Sequence, residues 1–321
     1  MNRYARQMIL PEIGETGQAR LTQAHVLVVG AGGLGCAALQ YLVGAGVGHI
    51  TIIDPDDVDE SNLHRQPLYK MADIGMAKVM AACTHLRALN PEVQLYPQAC
   101  PLDPVNGLEL IKSCDLVIDA ADSYAVSYTL SDICLALETP LISASGLGQA
   151  GYVGAFCATA PSLRAVFPDL PQSGATCSSA GVMGPVVGML GVMQAQFALQ
   201  ILLHHEPSPL GVMISVDMKT LHFNRFSFVK AKEPAWHFAF VSIHDLTATD
   251  VIIELRDQTE TFVAVAANAM RLDAKTLKDL PRSKHRTVLT CQSGLRAWRA
   301  AVFLHEKGHK NLVLLAAGAV Q

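Results

Sequence analysis

An apolar run that breaks into glycines constrains this chain more than any other feature. "VLVVGAGGLG", residues 26–35, reads as a buried strand entering a tight turn and then a helix. Gly30, Gly32, Gly33 and Gly35 fit the spacing G-x-G-x-x-G. A backbone without Cβ lets phosphates sit against amide N–H groups at a helix N-terminus. "HITIID" then forms a second strand that ends on Asp54, the position from which such folds bind ribose hydroxyls. The turn alone implies only an adenine nucleotide, and an NAD(P)-dependent oxidoreductase is the first function it suggests. A purely structural strand-to-helix turn is the plainer alternative.

The residues beyond Asp54 suit a dinucleotide less well. "DPDDVDESNLHRQ" supplies Asn62 and Arg65, and Lys78 stands on the next helix. The strand "DLVIDAAD" then runs out at Asp122. Arg65 and Lys78 are suited to clamping a polyphosphate. Asp122 is suited to a divalent cation, since Mg²⁺ is usually held by one or two carboxylates plus phosphate oxygens. Each residue alone is an ordinary surface charge; together, on successive loops of one sheet edge, they favour nucleoside triphosphate chemistry.

Composition narrows the classes further. Half of the 321 residues are hydrophobic and 16% are charged, which allows a substantial apolar core. The net charge of −4 comes without a basic run, which argues against a nucleic-acid partner. Cysteines at 36, 83, 100, 114, 134, 157, 177 and 291 make no C-x-x-C pair. Neither a zinc framework nor a disulfide scaffold is indicated, and scattered thiols suit a reducing, cytoplasmic setting. "MNRYARQMILPE" lacks the apolar core of a signal peptide. Residues 180–203 carry no charge and are long enough to span a bilayer. They also hold three glutamines, several glycines and Pro185, so a buried helix is the better expectation and no membrane partner is foreseen.

Between residues 25 and 145 strand and helix signals alternate: "GLGCAALQYLVGAG" and "GMAKVMAACTHLRAL" as helices, "EVQLYP", "DLVIDA" and "PLISAS" as strands. Apolar strands separated by helices imply a mainly parallel sheet covered on both faces, a Rossmann-like α/β fold. Residues 212–229 read as a hairpin that extends the sheet in mixed orientation. "KAKEPAWHF", 230–238, breaks the pattern as a linker. Beyond it "DVIIELRD", "RTVLTC" and "NLVLLAAG" read as strands, with "DAKTLKDL" and "LRAWRAAVFLHEKG" as helices. The expected division is an ATP-binding domain over 1–232, a linker over 233–241 and a second small α/β domain over 242–321.

The combination of "RYARQ", "VLVVGAGGLG", "DDVDESNLHRQ", "DIGMAKV", "DLVIDAADS" and "TCSSAGVMGPVVGMLGVMQA" resembles the ubiquitin-activating-enzyme-like adenylyltransferases, the ThiF/MoeB/HesA family. The resemblance implies binding of ATP with Mg²⁺ and adenylation of the C-terminal Gly-Gly carboxylate of a ubiquitin-like sulfur carrier, in thiamine or molybdenum-cofactor biosynthesis. It implies that Gly32 and Gly33 lie against the phosphates and that Asp54 binds the ribose. It places Asn62, Arg65 and Lys78 on the nucleotide and Asp122 on the metal. Arg6 matches an arginine that family members insert into a partner subunit's site, which implies a homodimer. Cys177 matches a cysteine that in part of the family links covalently to the carrier; a buried, inert cysteine is the alternative there.

The departures from the family pattern also carry expectations. The places of the family's two zinc-binding C-x-x-C pairs read "SLRAVF", with Ser162 and Ala165, and "EPAWHF", so no structural zinc is expected. The usual T-D-N reads Ala121, Asp122, Ser123, and a downstream arginine is Ser127. A degenerate member that binds a ubiquitin-like protein without activating it is therefore the alternative function.

"CQSGLRAWRA", opening a helix after a strand, resembles the active loop of a rhodanese-like sulfurtransferase, with Cys291 and Arg296 bracketing Gly294. A cysteine in such a loop is expected to face several N–H groups and the positive end of a helix, which favours a persulfide anion. The usual D-x-R opening reads Glu254-Leu255-Arg256, and the family's G-H-I-x-G-A stretch is missing. Together the two resemblances imply a persulfide donor such as a cysteine desulfurase and a thiocarboxylate product.

Overall fold

The computed structural model describes residues 3–170, 181–273 and 276–318. Two short helices, α1 (Ala5–Met8) and α2 (Gly14–Gln23), precede β1 (His25–Val29). Next come α3 (Gly33–Ala45), β2 (His49–Ile53), α4 (Lys78–Leu89), β3 (Gln94–Gln98), α5 (Pro104–Ile111), β4 (Leu116–Asp119), α6 (Tyr124–Ala136) and β5 (Leu141–Leu147). The chain continues through β6 (Ala150–Phe156), α7 (Leu163–Val166), α8 (Gly184–Leu202), β7 (Val212–Asp217) and β8 (His222–Ser227). The eight strands lie in the order β3-β2-β1-β4-β5-β6-β7-β8. The first five pair in parallel and the last three antiparallel. This is the mixed, mainly parallel sheet expected from the apolar runs, and the hairpin over 212–227 is present. Strand β6 was not legible: "AGYVGAF" has no apolar alternation, and it forms because β5 and β7 flank it.

Helix α4 begins three residues later than the apolar pattern suggests. Asp57 and Ala77 form an antiparallel bridge, and Gly75 holds φ +84°, so 75–77 run as a strap and Lys78 opens the helix. The uncharged segment after residue 180 contains α8, which is long and apolar enough to cross a membrane by length and composition. In this fold it packs into the core instead, burying Val186, Val187, Leu190, Phe197 and Ala198.

A second sheet, order β10-β9-β11-β12, is wholly parallel. Its strands are β9 (Val251–Glu254), β10 (Met270–Arg271), β11 (Thr287–Cys291) and β12 (Leu312–Ala316), with α9 (Leu295–Glu306) crossing from β11 to β12. Of the helix expected over 273–280, the described residues form one 3-10 turn, Leu277–Asp279. Asp273 accepts from both Thr276 N and Thr276 Oγ1 at 2.8 Å, a local turn that competes with helix. One continuous apolar cluster runs from Leu27 and Val29 of the large sheet through Phe238 and Phe240 to Leu289 and Leu314 of the small one and Leu304 of α9.

The small sheet has one buried ion pair. Glu254 Oε1 and Oε2 accept from Arg256 Nε and Nη2 at 2.8 and 2.7 Å, both residues being buried. Burial pushes the Glu254 carboxyl up, but the Arg256 guanidinium outweighs it and holds the carboxyl below its ordinary value. Replacing one partner strands the other charge in the core, which costs ~3–5 kcal/mol. Glu254→Ala is therefore expected to lower the melting temperature of the small unit sharply. A depressed folded value also makes the pair's contribution present above the ordinary glutamate range and lost as pH falls through the folded value; thermal melts from pH 7 to 3 check both.

Candidate active site

The carboxyl ends of β1, β2 and β4 open onto one cavity of about 520 Å³. Its walls include Gly32, Gly33, Asp54, Asn62, Arg65, Lys78 and Asp122. Seven positions singled out from the sequence, on the three connections that follow β1, β2 and β4, thus meet at one sheet edge, where α/β folds bind ligands.

The loops converge because of backbone contacts. Gly30 has φ +98°, and a Cβ there would stand 2.5 Å from the Ala120 carbonyl oxygen. Only glycine lets the first turn lie on the 119–122 loop and bring Asp122 beside the cradle. The Asp54 carboxylate ties the next two segments. Its Oδ2 accepts from Ala31 N at 2.7 Å and its Oδ1 from Asp56 N at 2.9 Å. Burial is the largest influence on Asp54 and raises its pKa, against Lys78 and the two N–H donors. Each oxygen keeps further lone-pair capacity for a ribose hydroxyl. Packing by itself calls for glycine at residue 33, since a Cβ there would meet Val187 Cγ2 of α8 at 2.7 Å.

The cations are held ready. Lys78 Nζ, almost wholly buried, donates to Asp56 Oδ2 at 2.7 Å, and the Asp56 carboxylate is exposed at the rim. Arg65 Nη2 donates to Asn62 Oδ1 at 2.7 Å and Nη1 to Ser61 O at 3.3 Å. Asp122 is exposed on the loop after β4. Beneath it Asp119 is fully buried and accepts from Ser143 Oγ at 2.7 Å.

Gln66, Asp56 and Ser127 also line this cavity and were not singled out as ligand groups. Gln66 comes four residues after Asn62, so one helical turn puts both on one side. Its Nε2 donates to Asn62 Oδ1 at 3.3 Å, while its buried Oε1 has no partner in the cavity wall. A Gly-rich turn with an orphan acceptor, two cations and a rim carboxylate fits a nucleotide polyphosphate and its metal.

The other sequence candidates lie elsewhere. Arg6 is on α1, exposed, and α1 is fastened at the far end of α3: Gln7 Nε2 donates to Ala45 O at 2.8 Å. Cys177 lies outside the described residues. Cys291 ends β11 in the small unit and is buried. One backbone N–H, that of Ala297, is directed at its Sγ at 3.4 Å, where several were expected, and the Arg296 guanidinium also interacts with the thiol. Arg296 is turned to Glu260, to which it donates through both Nη atoms, and to Leu255 O at 3.0 Å. Gln292 and Ser293 between them are exposed.

A family model described as the ThiF family matches residues 4–236. This chain belongs to the ThiF family. Adenylyltransferase and sulfurtransferase uba4 of Pyricularia oryzae is 41% identical over 236 residues, covering 69% of this chain and 48% of that protein. Adenylyltransferase and sulfurtransferase MOCS3 of Anopheles gambiae is 39% identical over 235 residues, covering 72% and 53%. The chain therefore matches about half the length of these relatives. In solved structures, E. coli MccB with ATP superposes with a TM-score of 0.60 at 20% identity over 73% of each chain. PaaA superposes with a TM-score of 0.62 at 21% identity, over 70% of this chain and 82% of that one. Both are likenesses of fold.

Within this ThiF-family fold, the two segments standing in for the zinc-binding pairs come together without soft ligands. Ser162 N and Oγ donate to the Glu233 carboxylate at 2.7 and 2.6 Å. A hydroxyl and one already satisfied carboxylate do not make a zinc site. No group of three or more metal-ligating side chains occurs among the described residues.

Asp119 gives a measurable pH signature. Burial raises its pKa to about 6 against the hydroxyl and N–H donors that favour the carboxylate. A raised folded value means that its contribution is fully present below the unfolded pKa and lost as pH rises through about 6. Asp119→Asn, which keeps an acceptor for Ser143, is expected to stabilise the protein at pH 8 by on the order of 2–3 kcal/mol, with the gain vanishing near pH 4. Denaturant titrations at the two pH values check it.

Proposed function

We propose that this chain adenylates the C-terminal Gly-Gly carboxylate of a ubiquitin-like sulfur carrier and then delivers sulfur to it as a thiocarboxylate. The observation that carries the proposal is the pocket itself: a glycine cradle, buried Lys78, Arg65 and rim Asp122 around one cavity. The names of the relatives, adenylyltransferase and sulfurtransferase, support it.

The pocket's residues act by position and charge. The cradle N–H groups and Arg65 hold the triphosphate of ATP, and Asp54 fixes the ribose. Lys78 moves from Asp56 to the phosphates as these enter. Asp122 would hold Mg²⁺, which when bound offsets polyphosphate charge. The carrier carboxylate attacks the α-phosphorus, pyrophosphate leaves, and the poor electrophile becomes a mixed anhydride. A persulfide on Cys291, charged by a donor such as a cysteine desulfurase, then attacks the acyl carbon through its terminal sulfur, and AMP leaves. A small thiol cleaves the resulting acyl disulfide at the Cys291 sulfur. This releases the thiocarboxylate and leaves a mixed disulfide on Cys291, which a second thiol reduces.

Arg6, remote from its own pocket, suits insertion into a second copy's site, so the working form is a homodimer. The carrier belongs to thiamine or molybdenum-cofactor biosynthesis, and the setting is the reducing cytoplasm, which seven free cysteines among the described residues suit. Ser123 and Ser127 support one other reading, a protein that binds a carrier without activating it.

ATP–pyrophosphate exchange across a panel of Gly-Gly carriers separates the two. Carrier-dependent exchange is expected, reduced ~10²-fold or more in Asp122→Ala; absence of exchange with every carrier favours the binding-only protein. Cys291→Ala is expected to leave exchange intact and to reduce thiocarboxylate yield from a persulfide donor, read by mass spectrometry of the carrier. An unchanged yield removes Cys291 as the relay.

A further inference from the structure

The stretch expected to be a linker is bonded to both units at once. On the large unit, Glu233 takes both donors of Ser162. Buried Arg164 donates to both Asp132 oxygens at 2.5 and 2.8 Å, and its Nη2 also donates to Phe238 O at 3.2 Å. Ser242 Oγ donates to Asp103 Oδ2, the cap of α5, at 2.6 Å. On the small unit, residues 239–241 lie along β12 like an added strand. Leu314 N donates to Ala239 O at 2.9 Å and Val241 N to Leu314 O at 2.8 Å. Trp236 lies over the ring of His305 on α9, with ring centres 4.2 Å apart. Phe238 and Phe240 are buried between the units.

A flexible tether shows none of this; it is solvated and makes no lasting bonds. The segment also fixes where the Cys291 loop stands. A Cβ on Gly294 would lie 2.6 Å from the Phe240 ring and 3.6 Å from Ala125 Cβ. Ala125 is in the first turn of α6, and its neighbours Tyr124, Val126 and Ser127 line the nucleotide cavity. The sulfurtransferase-like loop is therefore one helix turn from the pocket wall.

We propose that residues 233–242 form a metal-free clamp that holds the Cys291 loop against α6, so that sulfur passes to the adenylated carrier within one polypeptide. The proposal rests on the adenylation and sulfur-transfer function proposed for the pocket. The chemistry is the same attack, with the persulfide's terminal sulfur bonding to the acyl carbon and AMP departing. The clamp's contribution is proximity: it makes donor and acceptor intramolecular. Ser162, where a metal-binding cysteine stands in the family, serves the clamp through Glu233 instead of a metal.

Two measurements on the full-length chain test it. Hydrogen exchange reads the clamp directly and needs no activity: the amides of Val241 and Leu314 are expected to be protected as strongly as the strands of the small sheet. Exchange at the rate of an open chain overturns the clamp. Complementation reads the route: chains carrying Asp122→Ala and Cys291→Ala are co-expressed and assayed for thiocarboxylate. Delivery within one chain predicts yield at background, because neither chain holds both functions. Recovery to about a quarter of wild type or more means delivery between chains and overturns the proposal. Glu233→Gln with Ser242→Ala loosens two fastenings outside both sites. Pyrophosphate exchange should stay within about twofold while transfer slows about tenfold and the Val241 and Leu314 amides exchange faster; faster amide exchange with unchanged transfer also overturns it. A wild-type chain without pyrophosphate exchange removes the underlying function, whereas the hydrogen-exchange result still decides the clamp.

Discussion

The contact of Gly30 with the Ala120 carbonyl is what the site depends on. Two parallel strands that neighbour each other, β1 and β4, end at the same edge, and the loops that leave them must pass without collision. A side chain at residue 30 would push the loops apart and carry Asp122 away from the phosphate cradle. Asp54 extends the same arrangement sideways by accepting one N–H from the glycine turn and one from the Asp56 segment. Asp56 in turn holds Lys78. A chain of short polar contacts thus runs from the glycine turn through Asp54 and Asp56 to the cation, anchored on the buried ends of β1 and β2.

That arrangement has an electrostatic consequence. Lys78 is buried with a partner that is mostly in water, so the pair is asymmetric: the cation cannot leave the pocket, whereas the carboxylate can be solvated once released. An entering polyphosphate competes for Lys78 against an exposed, well-hydrated carboxylate, which makes the exchange cheap. Arg65 is held in the same way by a neutral amide and a carbonyl. The cations are oriented before any ligand arrives, and such orientation in advance is how a protein stabilises charge without reorganising.

The small unit is joined to this core by continuous apolar packing as well as polar fastenings. Phe238 and Phe240 serve both units, so the segment between them is part of the core rather than a spacer. Charge, proline and aromatic residues in "KAKEPAWHF" gave a linker expectation because sequence period reports only faces of regular elements. An irregular segment whose carbonyls and carboxylates are bonded across long sequence separations leaves no periodic trace. The same limit hid β6, which forms because neighbours on both sides complete its hydrogen bonds, and it hid the local bond by which Asp273 accepts from Thr276 N at the start of an expected helix.

The sequence by itself determined the parallel strands of the large sheet, the glycine turn and the nature of the pocket's charges. Apolar runs, glycine spacing and carboxylates at strand ends are local signals with a fixed physical meaning, so Gly32, Asp54, Asn62, Arg65, Lys78 and Asp122 are all legible in the chain itself. Tertiary structure alone decided who holds whom. It assigned Asp56 to Lys78, left Gln66 Oε1 as an open acceptor, turned Arg296 toward Glu260 and set Arg6 apart from its own pocket. It also brought Ser162 to Glu233 across 71 residues and placed the Cys291 loop on α6. The reason is range: propensity and period act over a few residues, whereas these pairings are chosen by the packing of segments that approach each other only when the whole chain is folded.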